Sequence, residues 1–173
     1  MNLIVTCARN LEGEAEEEIM DILDELGDPD VKISVSNMSG IITIQTKLDP
    51  IEVVRKMKEI LLDEPWSIRY CLRVIPIQKI VETNLENIKE CISSISDKIE
   101  DNESYRILIE KRNSDISSKE IITNIANQIK NKVSLDFPDK IILIEILGIV
   151  TGISLIKKSD ILSLEKTKRS MSE

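Results

Sequence analysis

The stretch that decides the fold is Tyr105-Arg106-Ile107-Leu108-Ile109-Glu110-Lys111-Arg112, a strand of mixed character that ends in a basic pair. After a polar turn comes Ser117-Ser118-Lys119-Glu120, in which a hydroxyl followed three residues later by a carboxylate makes a capping box. The helix it opens is expected over residues 118–132, burying Ile121, Ile122, Ile125 and Ile129. Its outer positions, Asn124, Asn127, Gln128 and Asn131 with Lys119, Lys130 and Lys132, are amide-rich and basic. The loop Leu135-Asp136-Phe137-Pro138-Asp139 leads into two apolar strands, 141–147 and 149–156, separated by Gly148.

Upstream, Leu85, Ile88, Ile92, Ile95 and Ile99 recur at spacings of three and four, the cleanest helical stripe in the chain. Thr83 and Glu86 suit a capping box at its start. Residues 78–83 read either as a linker or as a strand continuation.

The first seventy-seven residues make a second pattern. Residues 2–7 are a β-branched run. Over 12–26, Ala15, Ile19, Ile22 and Leu26 form one helical stripe, Glu14, Glu16, Glu17, Glu18, Asp21, Asp24 and Glu25 fill much of the remainder, and Gly27 supplies the stop. That acidic face reads first as a solvated exterior, and secondly as a docking surface for a basic protein. Alternating segments 31–36 and 41–46, joined by Asn37-Met38-Ser39-Gly40, read as a hairpin. Asp49-Pro50-Ile51-Glu52 is a helix start, Pro65 a stop, and 68–77 a closing strand. The order is β-α-β-β-α-β, the ferredoxin-like arrangement.

Charge separates the two halves. The net charge of the 173 residues is −8. Residues 1–104 hold 11 basic and 22 acidic side chains, whereas 105–173 hold 12 and 9, so only the second half suits a polyanion. Cys7, Cys71 and Cys91 are odd in number and widely spaced, which excludes a disulfide framework and a CxxC metal site. The absence of histidine removes Ser-His, Cys-His and histidine-metal chemistry. No phosphate-binding glycine loop occurs, and no apolar run reaches the length of a membrane span. A cytoplasmic, non-enzymatic protein without a cofactor or metal is expected.

The strand ending in Lys111-Arg112, the Ser117-Ser118-Lys119-Glu120-Ile121-Ile122 helix start, Phe137-Pro138-Asp139, Ile144-Glu145-Ile146-Leu147-Gly148 and Thr151-Gly152-Ile153-Ser154 form an ordered set. That set resembles the THUMP domain of tRNA-modification proteins. The βαββαβ half is similar to the ferredoxin-like module that often precedes it. The resemblance implies an α+β protein: an N-terminal ferredoxin-like βαββαβ module over 1–80, a THUMP-like α/β domain over 81–158, and a basic C-terminal tail over 159–173. It is nearest to the stand-alone tRNA-binding adaptors of cytidine acetylation. That implies two partners, the acceptor 3′ end region of tRNA and a separate acetyltransferase. The alternatives are an RNA-binding subunit for methylation or thiolation, and a protein-interaction scaffold.

The RNA-binding set implied is Lys111, Arg112, Asn113, Lys119, Lys157, Lys158, Lys166, Lys168 and Arg169. Lys111 and Arg112 stand just before a helix N-terminus, where free N–H groups and the helix dipole favour phosphate. If the last strand lies near the first, Lys157, Lys158 and the tail would join them in one patch. Phe137 has two open readings: packed beneath the sheet with Pro138 fixing the loop, or exposed and stacking on a splayed base.

Overall fold

The computed structural model describes residues 1–172. Two compact units divide the chain, one built from Met1–Ile77 with the segment that begins at Ser159, the other from Gln78–Lys158.

In the first unit, β1 (Leu3–Thr6), α1 (Glu12–Glu25), β2 (Lys32–Val35), β3 (Ile41–Gln45), α2 (Pro50–Asp63) and β4 (Arg73–Pro76) follow the expected order. Neighbours in the sheet β2-β3-β1-β4 are all antiparallel, which is the split βαβ arrangement read from the sequence. Helix α2 starts as its sequence dictates: the Asp49 carboxylate accepts from the N–H groups of Ile51 and Glu52, and Pro50 occupies the first turn. Ala15, Ile19 and Leu23 of α1 and Val53, Val54, Met57 and Leu61 of α2 close one core with Leu3, Val5, Ile42, Ile44 and Val74.

Two expectations change here. The closing strand is only four residues long, because the backbone N–H groups of Arg69, Tyr70 and Cys71 turn away from the sheet to the Glu18 carboxylate of α1, at 2.8, 3.0 and 2.9 Å. The expected tail over 159–173 is not one across its described residues, 159–172. Within this stretch β9 (Leu162–Ser163) pairs antiparallel with β4, and α5 (Leu164–Met171) packs through Leu164 and Met171 on the first core.

Asp28 is an internal anchor of this unit, 2% exposed. Thr46 donates its hydroxyl to it at 2.5 Å and Lys47 its N–H at 2.9 Å. The Thr46 hydroxyl, followed by the N–H groups of Lys47 and Asp30, holds the Asp28 carboxyl below its ordinary value despite burial. A depressed carboxyl contributes stability that is fully present above its unfolded value, about 4, and lost as pH falls through the lower folded value. Asp28→Asn should therefore cost on the order of 1–3 kcal/mol at neutral pH and less below about pH 3. Urea unfolding of both proteins at pH 7 and pH 3 measures the gap, which should narrow in acid.

The second unit holds β5 (Lys79–Glu82), α3 (Leu85–Ser96), β6 (Tyr105–Arg112), α4 (Ser118–Gln128), β7 (Lys140–Leu147) and β8 (Val150–Ile156). Residues 79–82 are thus a strand. Its sheet runs β5-β8-β7-β6; β6 and β7 are parallel across α4, while β8 is antiparallel to both β7 and β5. Ile88, Ile92 and Ile95 of α3 and Ile121 and Ile125 of α4 cover the face bearing Ile107, Ile109, Ile142, Ile144, Ile146 and Ile153. Asn84, one residue later than expected, caps α3 through the Asn87 N–H at 2.8 Å; Thr83 instead shares a hydrogen bond with Thr151. Helix α4 ends at Gln128, earlier than expected, because the chain must return to β6, where Lys132 accepts the Tyr105 N–H at 3.0 Å. Ile122, about 100° around the helix from Ile121, is 42% exposed rather than buried.

Candidate nucleic-acid interface

At the C-terminal end of β6, successive side chains leave on opposite faces of the strand. Lys111 follows Tyr105, Ile107 and Ile109 onto the helix face, whereas Arg112 stands on the other. The Lys111 ammonium donates to the Ile116 carbonyl at 2.8 Å, one residue before the cap of α4. Asn113, with φ of 54°, turns the chain sharply after the strand, a left-handed conformation that asparagine tolerates. Ser117 accepts from the Glu120 N–H at 3.2 Å, as its capping motif requires. The N–H groups of Ser118 and Lys119 in this first turn have no intrahelical acceptor. Thus Lys111 and Lys119 share one rim with a helix N-terminus, together with the exposed carboxylates of Asp115 and Glu120, so the free N–H groups at the positive end of the dipole, not an excess of side-chain charge, are what this rim offers an anion. The Arg112 carbonyl, accepting from Gly148 at 2.9 Å, pins the rim to the turn between β7 and β8.

The remaining cations lie elsewhere. Register places Ile156 of β8 against Ile141, at the start of β7, while Arg112 pairs with Leu147 at its end. Six residue steps along β7, about 20 Å, separate the two ends. Lys157 and Lys158 therefore extend from the opposite end of the sheet, and one patch with Lys111 and Arg112 is excluded. The tight turn at Gly148, with φ of 61°, makes β7 and β8 a hairpin and was a sufficient signal for this in the sequence. Lys166, Lys168 and Arg169 belong to the first unit, on α5, where Arg169 pairs with Glu165 and Lys168 lies beside Trp66 and Met171 around a shared cavity.

Phe137 is 88% exposed, so the reading that packs it beneath the sheet is wrong. The physical reason is the loop's own hydrogen bonding. Ser104 donates both its N–H and its hydroxyl to the Asp139 carboxylate, at 2.8 and 3.1 Å, and the Ser104 N–H foremost holds that carboxyl below its ordinary value. Ser134 N–H donates to Tyr105 at 3.0 Å, and the Arg106 guanidinium to the Leu135 carbonyl at 3.1 Å. These bonds fix the backbone close to the strand ends and leave the ring outward.

Nothing in either unit favours nucleophilic or metal chemistry through cysteine. Cys7, Cys71 and Cys91 are buried, and burial pushes each thiol up from its ordinary value. Among the described residues no group of three His, Cys, Asp or Glu side chains could hold a metal ion, and no helix is long and apolar enough to cross a membrane.

A family model described as THUMP domain matches residues 82–156. No match was found among curated proteins. Among solved structures, the chain is similar to PH1313 from Pyrococcus horikoshii Ot3, at 20% identity over 91% of this chain and 55% of that one, with a TM-score of 0.61. It is also similar to TrmN from Thermus thermophilus, at 14% identity, 88% and 44% coverage and a TM-score of 0.60. A third is a 4-thiouridine synthetase solved with RNA and bound ATP, at 14% identity, 90% and 41% coverage and a TM-score of 0.50. At such identities the likeness is one of fold, and the chain spans about half the length of the structures it matches. The parallel β6-α4-β7 unit and the β7–β8 hairpin lie within the segment 82–156 that matches the THUMP domain model.

Proposed function

We propose that this chain is a non-catalytic tRNA-binding adaptor that presents tRNA to a separate modification enzyme, and that the enzyme is the tRNA cytidine acetyltransferase. The observation that carries the reading is the match to the THUMP domain family over 82–156, with Lys111, Lys119 and the N-terminus of α4 on one rim. In this reading the rim grips phosphate near the acceptor end: Lys119 and the free N–H groups bind directly, while Lys111 holds the loop and contributes its charge at short range. Arg112, on the other face of the strand, takes a second phosphate bidentately. The adaptor then needs no reactive side chain of its own. A second reading makes this chain the RNA-binding part of a methylating or thiolating system; the solved structures it resembles include methylases and a 4-thiouridine synthetase.

The test is binding of total tRNA across a salt series, with the Lys119→Glu/Arg112→Glu variant beside the parent protein. Removing one cation that pairs with a phosphate should reduce the salt slope by about one, so the double variant should drop by about two and bind at least tenfold more weakly at low salt. Retention of full affinity and slope would reject the rim as the surface that meets RNA. Reconstitution with candidate enzymes separates the readings: stimulation of acetylation by the parent protein but not by the variant supports the first, and stimulation of methylation or thiolation alone supports the second.

A further inference from the structure

The end of the second unit's sheet opposite to Lys111 carries a feature that phosphate binding leaves unused. We propose that Phe137 is a stacking platform for an unpaired nucleotide, so that the THUMP-like domain holds RNA at two separate points, by phosphate at one rim and by a base at the other. The proposal deepens the tRNA-binding reading and rests on it.

The ring of Phe137 is the most exposed of the large hydrophobic side chains among the described residues, and Leu135 at 66% and Val133 at 50% alternate with it along the same loop. This is not slack chain. Phe137 N–H donates to the Ser134 hydroxyl at 3.2 Å, Asp139 N–H to the Ser104 carbonyl at 3.1 Å, and Lys140 N–H to the same carbonyl at 3.0 Å. A loop held this way displays its ring without ordering cost at the moment of binding.

The surroundings select among ligands. Lys130, Lys132, Lys157 and Lys158 are exposed and leave from this end of the sheet. Of the acids there, Asp139 is engaged by Ser104 and Glu103 by Lys140 at 2.9 Å, while Asp136, Glu100 and Asp101 are exposed. An aromatic face among ammonium groups matches a base on a phosphate backbone: the base supplies an apolar π-face and the backbone the counter-charge. A base paired and stacked in a duplex has no face to offer, so the ligand class is unpaired RNA. A protein pocket would accept Phe137 too, but the lysines around it, Lys130, Lys132 and Lys158, suit the phosphates that flank an unpaired base.

The experiment measures binding of a fluorescein-labelled single-stranded RNA 12-mer, a blunt RNA duplex of equal length, and total tRNA to the parent protein, Phe137→Ala and Phe137→Trp. Because Phe137 is exposed, thermal melting of all three proteins should coincide. The parent should prefer the single strand. Phe137→Ala should weaken single-strand binding about ten- to a hundredfold and duplex binding little, while Phe137→Trp should retain it. In a Trp66→Phe/Phe137→Trp protein, the one remaining indole should be quenched as the single strand is added. Equal affinity of the parent and Phe137→Ala for the single strand would overturn the platform while leaving tRNA binding standing. Loss of a co-purifying protein from Phe137→Ala with RNA affinity intact would assign the loop to protein docking and overturn it equally. Failure of the parent to bind any of the three RNAs would remove the tRNA reading itself.

Discussion

Gly40→Ala is expected to destabilise the first unit by about 3 kcal/mol or more. Two independent strains add at this position. Gly40 has φ of +75°, a region that costs an L-residue roughly 1–2 kcal/mol. A Cβ there would also stand 2.6 Å from the backbone carbonyl oxygen of Cys7, a clash that no side-chain rotation relieves. Overpacking of this kind costs about 1–3 kcal/mol. The two chain segments are close because they are bonded: Cys7 N–H donates to the Gly40 carbonyl at 2.9 Å, continuing the pairing of β1 with β3. Gly40 N–H donates in turn to the Glu12 carboxylate at 2.8 Å, so displacement of this residue disturbs the start of α1 as well. For a unit of this size the melting temperature should fall by roughly 10–20 °C. Calorimetry would show it, and an unchanged transition would mean that the close approach to Cys7 does not persist in solution.

Glu18→Ala should cost about 3 kcal/mol for a different reason. Three successive N–H groups, of Arg69, Tyr70 and Cys71, converge on this one carboxylate, and Ile68 and Cys71 beside them are fully buried. Removing the acceptor leaves all three donors without a partner, and hydrogen bonds to a charged group contribute roughly 1.5–3 kcal/mol each before water compensates the exposed ones. Glu18→Gln keeps one acceptor oxygen but turns an amide N–H₂ toward donors, so about 1–2 kcal/mol is expected. Urea midpoints give both values. Native-state thiol labelling gives a second readout. Burial first, and the Glu18 carboxylate second, hold the Cys71 thiol well above its ordinary value, which makes it inert in the parent protein. Opening of residues 69–71 in Glu18→Ala should make Cys71 modifiable while the rest of the unit stays folded. Labelling no faster than in the parent would show that the loop is held by its apolar packing alone.

Eight acids lie on α1, and the sequence reading treats the seven from Glu14 to Glu25 first as a solvated face. Glu18 shows the limit of that reading. It stands three residues after Ala15 and four before Ile22, at the edge of the buried stripe, a spacing that Glu16 and Glu17 do not share, and what it meets there is the returning chain at Arg69. A backbone anion site of this kind has no sequence signature, because the donors are main-chain groups that every residue carries.

The elements themselves were readable because their signals are local. Periodicity of 3.6 placed α1, α2 and α3 and their buried stripes, the Asp49-Pro50 and Ser117 motifs placed two helix starts, and alternation with glycine turns placed the hairpins. The order of those elements was enough to give the βαββαβ sheet, and the motifs from Lys111 to Ser154 were enough to suggest the THUMP domain. What only the tertiary structure decided was where strand ends meet. Lys111 and Lys157 both leave apolar strands, yet the antiparallel course of β8 sends them to opposite ends of one sheet, and residues 159–172, polar enough to read as a tail, add a strand to β4 and a helix to the first core. Phe137 was undecided for the same reason. Whether a ring is buried depends on which groups at the strand ends bind its loop, here Ser104, Tyr105 and Arg106, some thirty residues earlier in the chain, and no window of sequence contains both partners.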